Sequence, residues 1–92
     1  MEFEWDENKA VRNEEKHGIS FSEATTVFGD PMGLTIADPD RSTGEYRFLS
    51  IGRSSLRNLL VVSYTEREDN HIRIISARRA TKHEQKQYEQ NH

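Results

Sequence analysis

Arg73-Ile74-Ile75-Ser76-Ala77-Arg78-Arg79-Ala80-Thr81-Lys82-His83-Glu84 begins as a strand and ends as a helix. Over its first half, Ile72, Ile74 and Ser76 alternate with Arg73, Ile75 and Ala77, the period of two that sends neighbouring side chains to opposite faces of a sheet. Thr81 and Glu84 then stand at the spacing of a capping box, which opens a helix. Arg78, Arg79, Lys82 and His83 sit at the junction. From His71 to His83 there are four Arg or Lys residues and no acid, in a chain of net charge -3. A helix N-terminus presents free N–H groups and a partial positive charge. With two arginines beside it, the junction suits a phosphate.

Working back from this stretch, Glu68-Asp69-Asn70 reads as a short polar turn. Before it, Leu59 to Arg67 is rich in branched and aromatic residues, with Leu60, Val62 and Tyr64 on one face. Ser54 to Asn58 turns the chain again, and Tyr46 to Arg53 reads as another strand, with Gly52 at its end or at a bulge. Three strands with short turns predict an antiparallel meander. Leu34, Thr35 and Ile36 suggest one more strand, followed by a loop from Asp38 to Glu45. The N-terminal third is helical. Asp6 caps a helix over Glu7–His17 that stops at Gly18, and Ser20 with Glu23 forms a second capping box. The second helix carries Phe21, Ala24 and Phe28 on one face, and Asp30-Pro31 follows as a turn. Phe3-Glu4-Trp5 is a short strand or an extended lead-in. Downstream, the helix opened by Thr81 runs to about Gln90. Helices segregated from consecutive strands predict an α+β fold: two N-terminal helices over one sheet face, an antiparallel meander sheet and a C-terminal helix. Arg73 then falls on the alternating, open face.

Ninety-two residues make one small domain, residues 1–92, which buries only roughly 60–65% of its unfolded surface. The apolar fraction is 33% and the charged fraction 32%, with apolar residues clustered as in a folded chain. No apolar run approaches the length of a membrane span, the acidic start lacks a signal peptide's regions, and there is no cysteine. A cytoplasmic protein without membrane contact is the expectation. Charge is polarised along the chain: residues 1–30 carry net -5, residues 31–70 net -1 and residues 71–92 net +3. The total argues against a strong nucleic-acid binder, whereas the polarity suits an acidic and a basic face with different partners.

There is no phosphate loop, nucleophile elbow or two-histidine metal helix. His17, His71, His83 and His92 are scattered, which gives no motive for a metal site or a cofactor. One chemistry that needs only the side chains present is metal-independent RNA cleavage. The 2′-hydroxyl attacks the adjacent phosphate, a base takes its proton, an acid protonates the leaving 5′-oxygen, and Arg or Lys stabilises the charge on phosphorus. His17, His83, Glu84 and Tyr88 are the candidates for proton transfer, and Lys82 lies beside the phosphate position. The plainer alternatives are a dipole-favoured His17 at a helix end, a capping role for Glu84, and arginines held in surface salt bridges. Hairpin geometry also separates Arg67, next to His71, from Arg78.

Phe3-Glu4-Trp5-Asp6, Asn8-Lys9-Ala10, Asn13, Lys16-His17-Gly18-Ile19-Ser20-Phe21, Glu23-Ala24, and Phe28 with Asp30-Pro31 resemble the N-terminal signature of the BrnT toxin family. Ile51-Gly52, Leu60-Val61-Val62, Tyr64-Thr65-Glu66-Arg67, Ile72 to Thr81, Glu84 and Tyr88 resemble its second half. The resemblance covers nearly the whole chain in order. It implies a RelE-like ribonuclease toxin of a type II toxin–antitoxin system, which arrests growth by blocking translation. It implies a cognate ribbon–helix–helix antitoxin, a toxin–antitoxin hetero-oligomer, and DNA contact only through the antitoxin in repression of the operon. By motif, the basic residues of such toxins fall on Arg67, Arg73, Arg78 and Arg79, with Lys16, His17 and Tyr88 as further candidates. The rival reading is a catalytically weak module that binds the antitoxin and acts mainly in autoregulation.

Overall fold

The computed structural model describes residues 1–38 and 46–91; of the loop expected over Asp38 to Glu45, only Asp38 lies within them. Among the described residues, a five-stranded sheet has the order β1-β5-β4-β3-β2. Its strands are β1 (Glu2–Glu4), β2 (Leu34–Ala37), β3 (Arg47–Arg53), β4 (Leu59–Arg67) and β5 (His71–Arg79). The helices are α1 (Glu7–His17), α2 (Phe21–Thr26), extended by a 3-10 turn over Val27–Gly29, and α3 (Lys82–Gln90). The helix starts follow from their caps. Asp6 accepts from the Lys9 N–H, Ser20 from the Glu23 N–H, and Thr81 with Glu84 completes the capping box. Gly18 ends α1 in the left-handed region, at φ 71°.

Strands β2 to β5 pair antiparallel, as the meander requires, but β1 makes the sheet mixed, because it pairs parallel with β5. The reason lies in Glu2-Phe3-Glu4. The two acids meet His71 and Arg73 across the register, at 3.1 and 2.8 Å, while Phe3 turns to the other face and packs on Phe28.

Strict alternation along β5 is also corrected. The register slips between Ser63 and Tyr64 of β4, leaving Ile75 as an extra residue on β5. Beyond the bulge the phase is reversed. Ala77 joins Ile72 and Ile74 on the helix-covered face, and Ser76 and Arg78 join Arg73 on the other. The bulge is therefore in β5 and not at Gly52, which lies within β3. A Cβ on Gly52 would stand 2.8 Å from Val27 Cγ1, so glycine there admits the 3-10 turn against the sheet.

The main core lies between the sheet and α1–α2, where Ile19, Phe21, Ala24 and Val27 meet Leu60, Val62, Tyr64, Ile72 and Ile74. A smaller cluster occupies the opposite face, where Tyr88 of α3 packs on Ile51 and Val61 with Leu34 and Leu49 alongside. The poor apolar stripe of α1 is offset by Asn13. This buried side chain donates to Ala77 O (2.8 Å) and Ile19 O (3.0 Å), and accepts from the Ala77 N–H (3.1 Å). It takes the place of a neighbouring strand on the edge of β5 beyond β1.

Candidate nucleic-acid interface

The sheet face opposite α1 and α2 is only partly covered, because α3 caps one end of it. Cross-strand register sets the rest. Arg47, Thr65 and Arg73 form one row with Glu4; Leu49, Ser63 and Ser76 form the next; Ile51, Val61 and Arg78 form the row under α3. Between these rows lies a groove of about 380 Å³, lined by Asp38, Arg47, Leu49, Ser63, Ile75, Ser76 and Arg78. Two arginines from different strands thus flank a floor of serine hydroxyls, a donor set suited to phosphate oxygens.

Arg78 is held by Glu84 in a two-pronged pair, Nη1 to Oε1 at 2.7 Å and Nη2 to Oε2 at 2.9 Å, and Nη1 also donates to Arg79 O. The bond to Glu84 holds the Arg78 guanidinium above its usual range. The same bond from Arg78, with the Thr81 N–H, lowers the Glu84 carboxyl to about 2 against the cost of its burial. At neutral pH Glu84 is therefore a positioning carboxylate and a poor proton acceptor. The pair occupies the Nη1–Nη2 edge of the guanidinium and leaves the Nε edge for a ligand.

Arg79 points the other way. Paired with Leu60, it donates to Asn58 Oδ1 (2.8 Å) on the helix-covered side. Asn58 in turn donates to the buried Glu23 carboxylate (2.8 Å), to which the Ser54 hydroxyl also donates (2.6 Å). The structure does not bring Arg78 and Arg79 to one phosphate. Arg73 is on the groove's face, donating to Glu4 at 2.8 Å. Arg67 lies at the far end of the β4–β5 hairpin, in a shallow depression with Glu4, Glu66, Glu68 and His71. Lys82 and His83 are exposed in the first turn of α3. Tyr88 is only 8% exposed; its hydroxyl donates to Asp30 Oδ2 at 2.6 Å, and Arg53 stands 5.8 Å from its ring centroid. Tyr88 holds α3 in place. Burial raises the Asp30 carboxyl, and the bonds from Tyr88 and the Arg53 and Met32 N–H groups outweigh it, so the net shift is downward.

Lys16 and His17 line a second cleft, of about 210 Å³, between α1 and the edge of β5, together with Lys9, Arg12 and Asn13. Ile75 and Ser76 line this cleft as well as the groove. The bulge thus brings Arg78 and His17 to either side of the same two residues. Sequence reasoning missed Arg47, Lys9 and Arg12. Lys9, Arg12 and Lys16 recur at i, i+3 and i+7, a one-sided helical stripe visible in the sequence. Arg47 carried no comparable signal, since its place depends on the β3–β4 register. Among the described residues, no three of His, Asp and Glu stand close enough to hold a metal ion, and no helix is long and apolar enough to cross a membrane.

The family model for the ribonuclease toxin BrnT of type II toxin–antitoxin systems matches residues 5–84. The crystal structure of the Brucella abortus ribonuclease toxin BrnT is similar in fold, with a TM-score of 0.65 at 23% identity, over 89% of this chain and 99% of that one. No curated relative matches the chain in sequence.

Proposed function

Since the chain belongs to the BrnT family of type II ribonuclease toxins, we propose that it is a metal-independent endoribonuclease that binds the scissile phosphate in the Arg47–Arg78 groove. The observation that carries this reading is the convergence of two arginines from β3 and β5 over Ser63 and Ser76, next to a cleft holding His17. The RNA 2′-oxygen forms a bond to phosphorus as the bond to the 5′-oxygen breaks, giving a 2′,3′-cyclic phosphate and a 5′-oxyanion that water protonates to the 5′-hydroxyl. Arg78 and Arg47 stabilise the charge that builds on the non-bridging oxygens. His17 is the proton acceptor favoured by position, with Lys16 beside it. His83, at the start of α3, is the alternative, and Arg73 supports a neighbouring phosphate. Arg79, Lys82, Arg67 and Tyr88 act, on this reading, through the fold or at its margins. Residues 1–92 form one RelE-like toxin domain in the cytoplasm, which inhibits translation. A ribbon–helix–helix antitoxin neutralises it by covering the groove, and their complex represses the operon, with DNA contact made by the antitoxin.

The test is digestion of single-stranded RNA by the purified chain in EDTA. Cleavage by wild type should fall by about 10²- to 10³-fold in Arg78→Ala and Arg47→Ala if each stabilises the transition state. His17→Ala and His83→Ala separate the two proton acceptors. Cleavage that returns only with added divalent metal overturns the mechanism. A second reading, a weak nuclease that serves mainly as an antitoxin-binding module, is favoured by one observation: Arg73 and Arg78 are already paired with Glu4 and Glu84. On that reading the chain binds the antitoxin tightly, and its expression alone leaves growth unchanged.

A further inference from the structure

The cations of the molecule differ in how they are matched. His71, Arg73 and Arg78 on β5 each face a carboxylate within 4.0 Å, whereas among the described residues none stands that close to Lys9, Arg12 or Lys16 on α1. These three exposed side chains share one side of the helix and span about 10 Å along its axis. They are not an isolated patch. Their cleft and the Arg47–Arg78 groove meet at Ile75 and Ser76. Strand β1 pairs with β5 only through Arg73, so among the described residues no strand covers this edge at the bulge, and Ile75 is left half-buried between two basic surfaces.

We infer that Lys9, Arg12 and Lys16 form an outer phosphate-binding subsite for single-stranded RNA, whose backbone leaves the Arg47–Arg78 groove by crossing the β5 edge over Ile75. This inference rests on the proposed RNA-cleaving role of the groove and adds to it the path of the flanking nucleotides. Continuity favours RNA over a protein segment as occupant, because one polyanion can engage both basic surfaces across an apolar step where a base packs on Ile75. A duplex is too wide and stiff to follow that turn, so the substrate is single-stranded.

The experiment uses the full chain and 2′-O-methyl oligoribonucleotides, which cannot be cleaved, and reads binding by fluorescence anisotropy across a salt series. A strand of about twelve nucleotides runs past His17 and Lys16 to the Lys9 and Arg12 end of α1 and one of about four does not; each lost phosphate contact should flatten the log–log salt slope by about 0.7. Lys9→Ala/Arg12→Ala, two exposed positions whose replacement leaves the core intact, should weaken the longer strand by roughly 10- to 30-fold at about 0.1 M salt and flatten its slope by about 1.4. The shorter strand should change by less than about twofold. Equal slopes for the variant and wild type on the longer strand, with Arg78→Ala still weakening both strands, overturn the subsite and leave the groove standing. If Arg78→Ala and the double variant both bind and cleave like wild type, groove and subsite fall together. If the double variant keeps RNA but loses the antitoxin, the α1 stripe belongs to the protein partner and the inference is wrong.

Discussion

Glu84 has two tasks that a single carboxylate can do only while ionised. It accepts both prongs of Arg78, and it accepts from the Thr81 N–H that starts α3. Its folded pKa of about 2 lies below the ordinary 4.5, so its contribution is fully present above about pH 4.5 and is lost as the pH falls towards 2. Each pKa unit corresponds to about 1.36 kcal/mol, but Arg78 is 40% exposed and solvent screens the pair, leaving about 1–2 kcal/mol. Glu84→Gln should therefore lose about that much in urea unfolding at pH 7, with a flatter stability profile between pH 4.5 and 2 than wild type. Parallel profiles would assign the acid sensitivity to another group. Thr65 is the reverse case. It is 1% exposed, stands between Arg47 and Arg73 in the register, and its hydroxyl has no hydrogen-bond partner among the described residues. Thr65→Val should be neutral or stabilising by up to about 1 kcal/mol in the same assay. A clear loss would mean that the hydroxyl meets a water molecule.

At the scale of elements, what could be read from the sequence was what local chemistry decides. Asp6, Ser20 and Thr81 announced the helix starts, Gly18 announced a stop, and the run from Leu59 to Arg67 announced its strand. The bulge at Ile75 was not legible, because it is a relation between two strands and leaves no mark on either alone. Missing it hid the most useful fact about the site. Arg78 and Arg79 are neighbours in sequence, and the reversed phase decides which one faces the groove. The same holds for Asn13, a polar residue in a polar helix whose importance comes from Ala77, 64 positions away. Its amide satisfies both the N–H and the C=O of Ala77. Asn13→Ala leaves these groups buried and unpaired and should destabilise the fold by about 2–4 kcal/mol, measured by thermal or urea unfolding. Asn13→Asp keeps the acceptor for the Ala77 N–H but sets a carboxylate oxygen against Ala77 O, so it should be no better than Ala. A rescue by Asp would show that the donated bonds contribute little.

For the whole molecule, the charge polarity along the chain suggested separate acidic and basic faces, but the acidic β1 pairs with the basic β5. What it could not convey is that the basic stripe of α1, inside the most acidic third of the sequence, would lie beside the β5 edge. The sheet also separates two unequal cores. The one under α1 and α2 joins aliphatic and aromatic side chains from four strands, with the Tyr64 ring in contact with both Phe28 and Phe48. The one under α3 depends on Tyr88 against Ile51 and Val61, and on the Tyr88 hydroxyl bound to Asp30. Unequal burial means unequal local stability. Tyr88→Ala removes the anchor of α3 while leaving the larger core untouched. In hydrogen exchange, the amides of Lys82–Gln90 should lose most of their protection, while those of β4 and β5 at Val62, Tyr64 and Ile74 keep theirs nearly in full. Tyr88→Phe should fall between, because it keeps the ring and loses the hydroxyl's bond to Asp30, at about 1 kcal/mol. If protection in β4 and β5 falls in step with that of α3, the two cores form one cooperative unit. A partner that displaced α3 would then have to unfold the sheet as well.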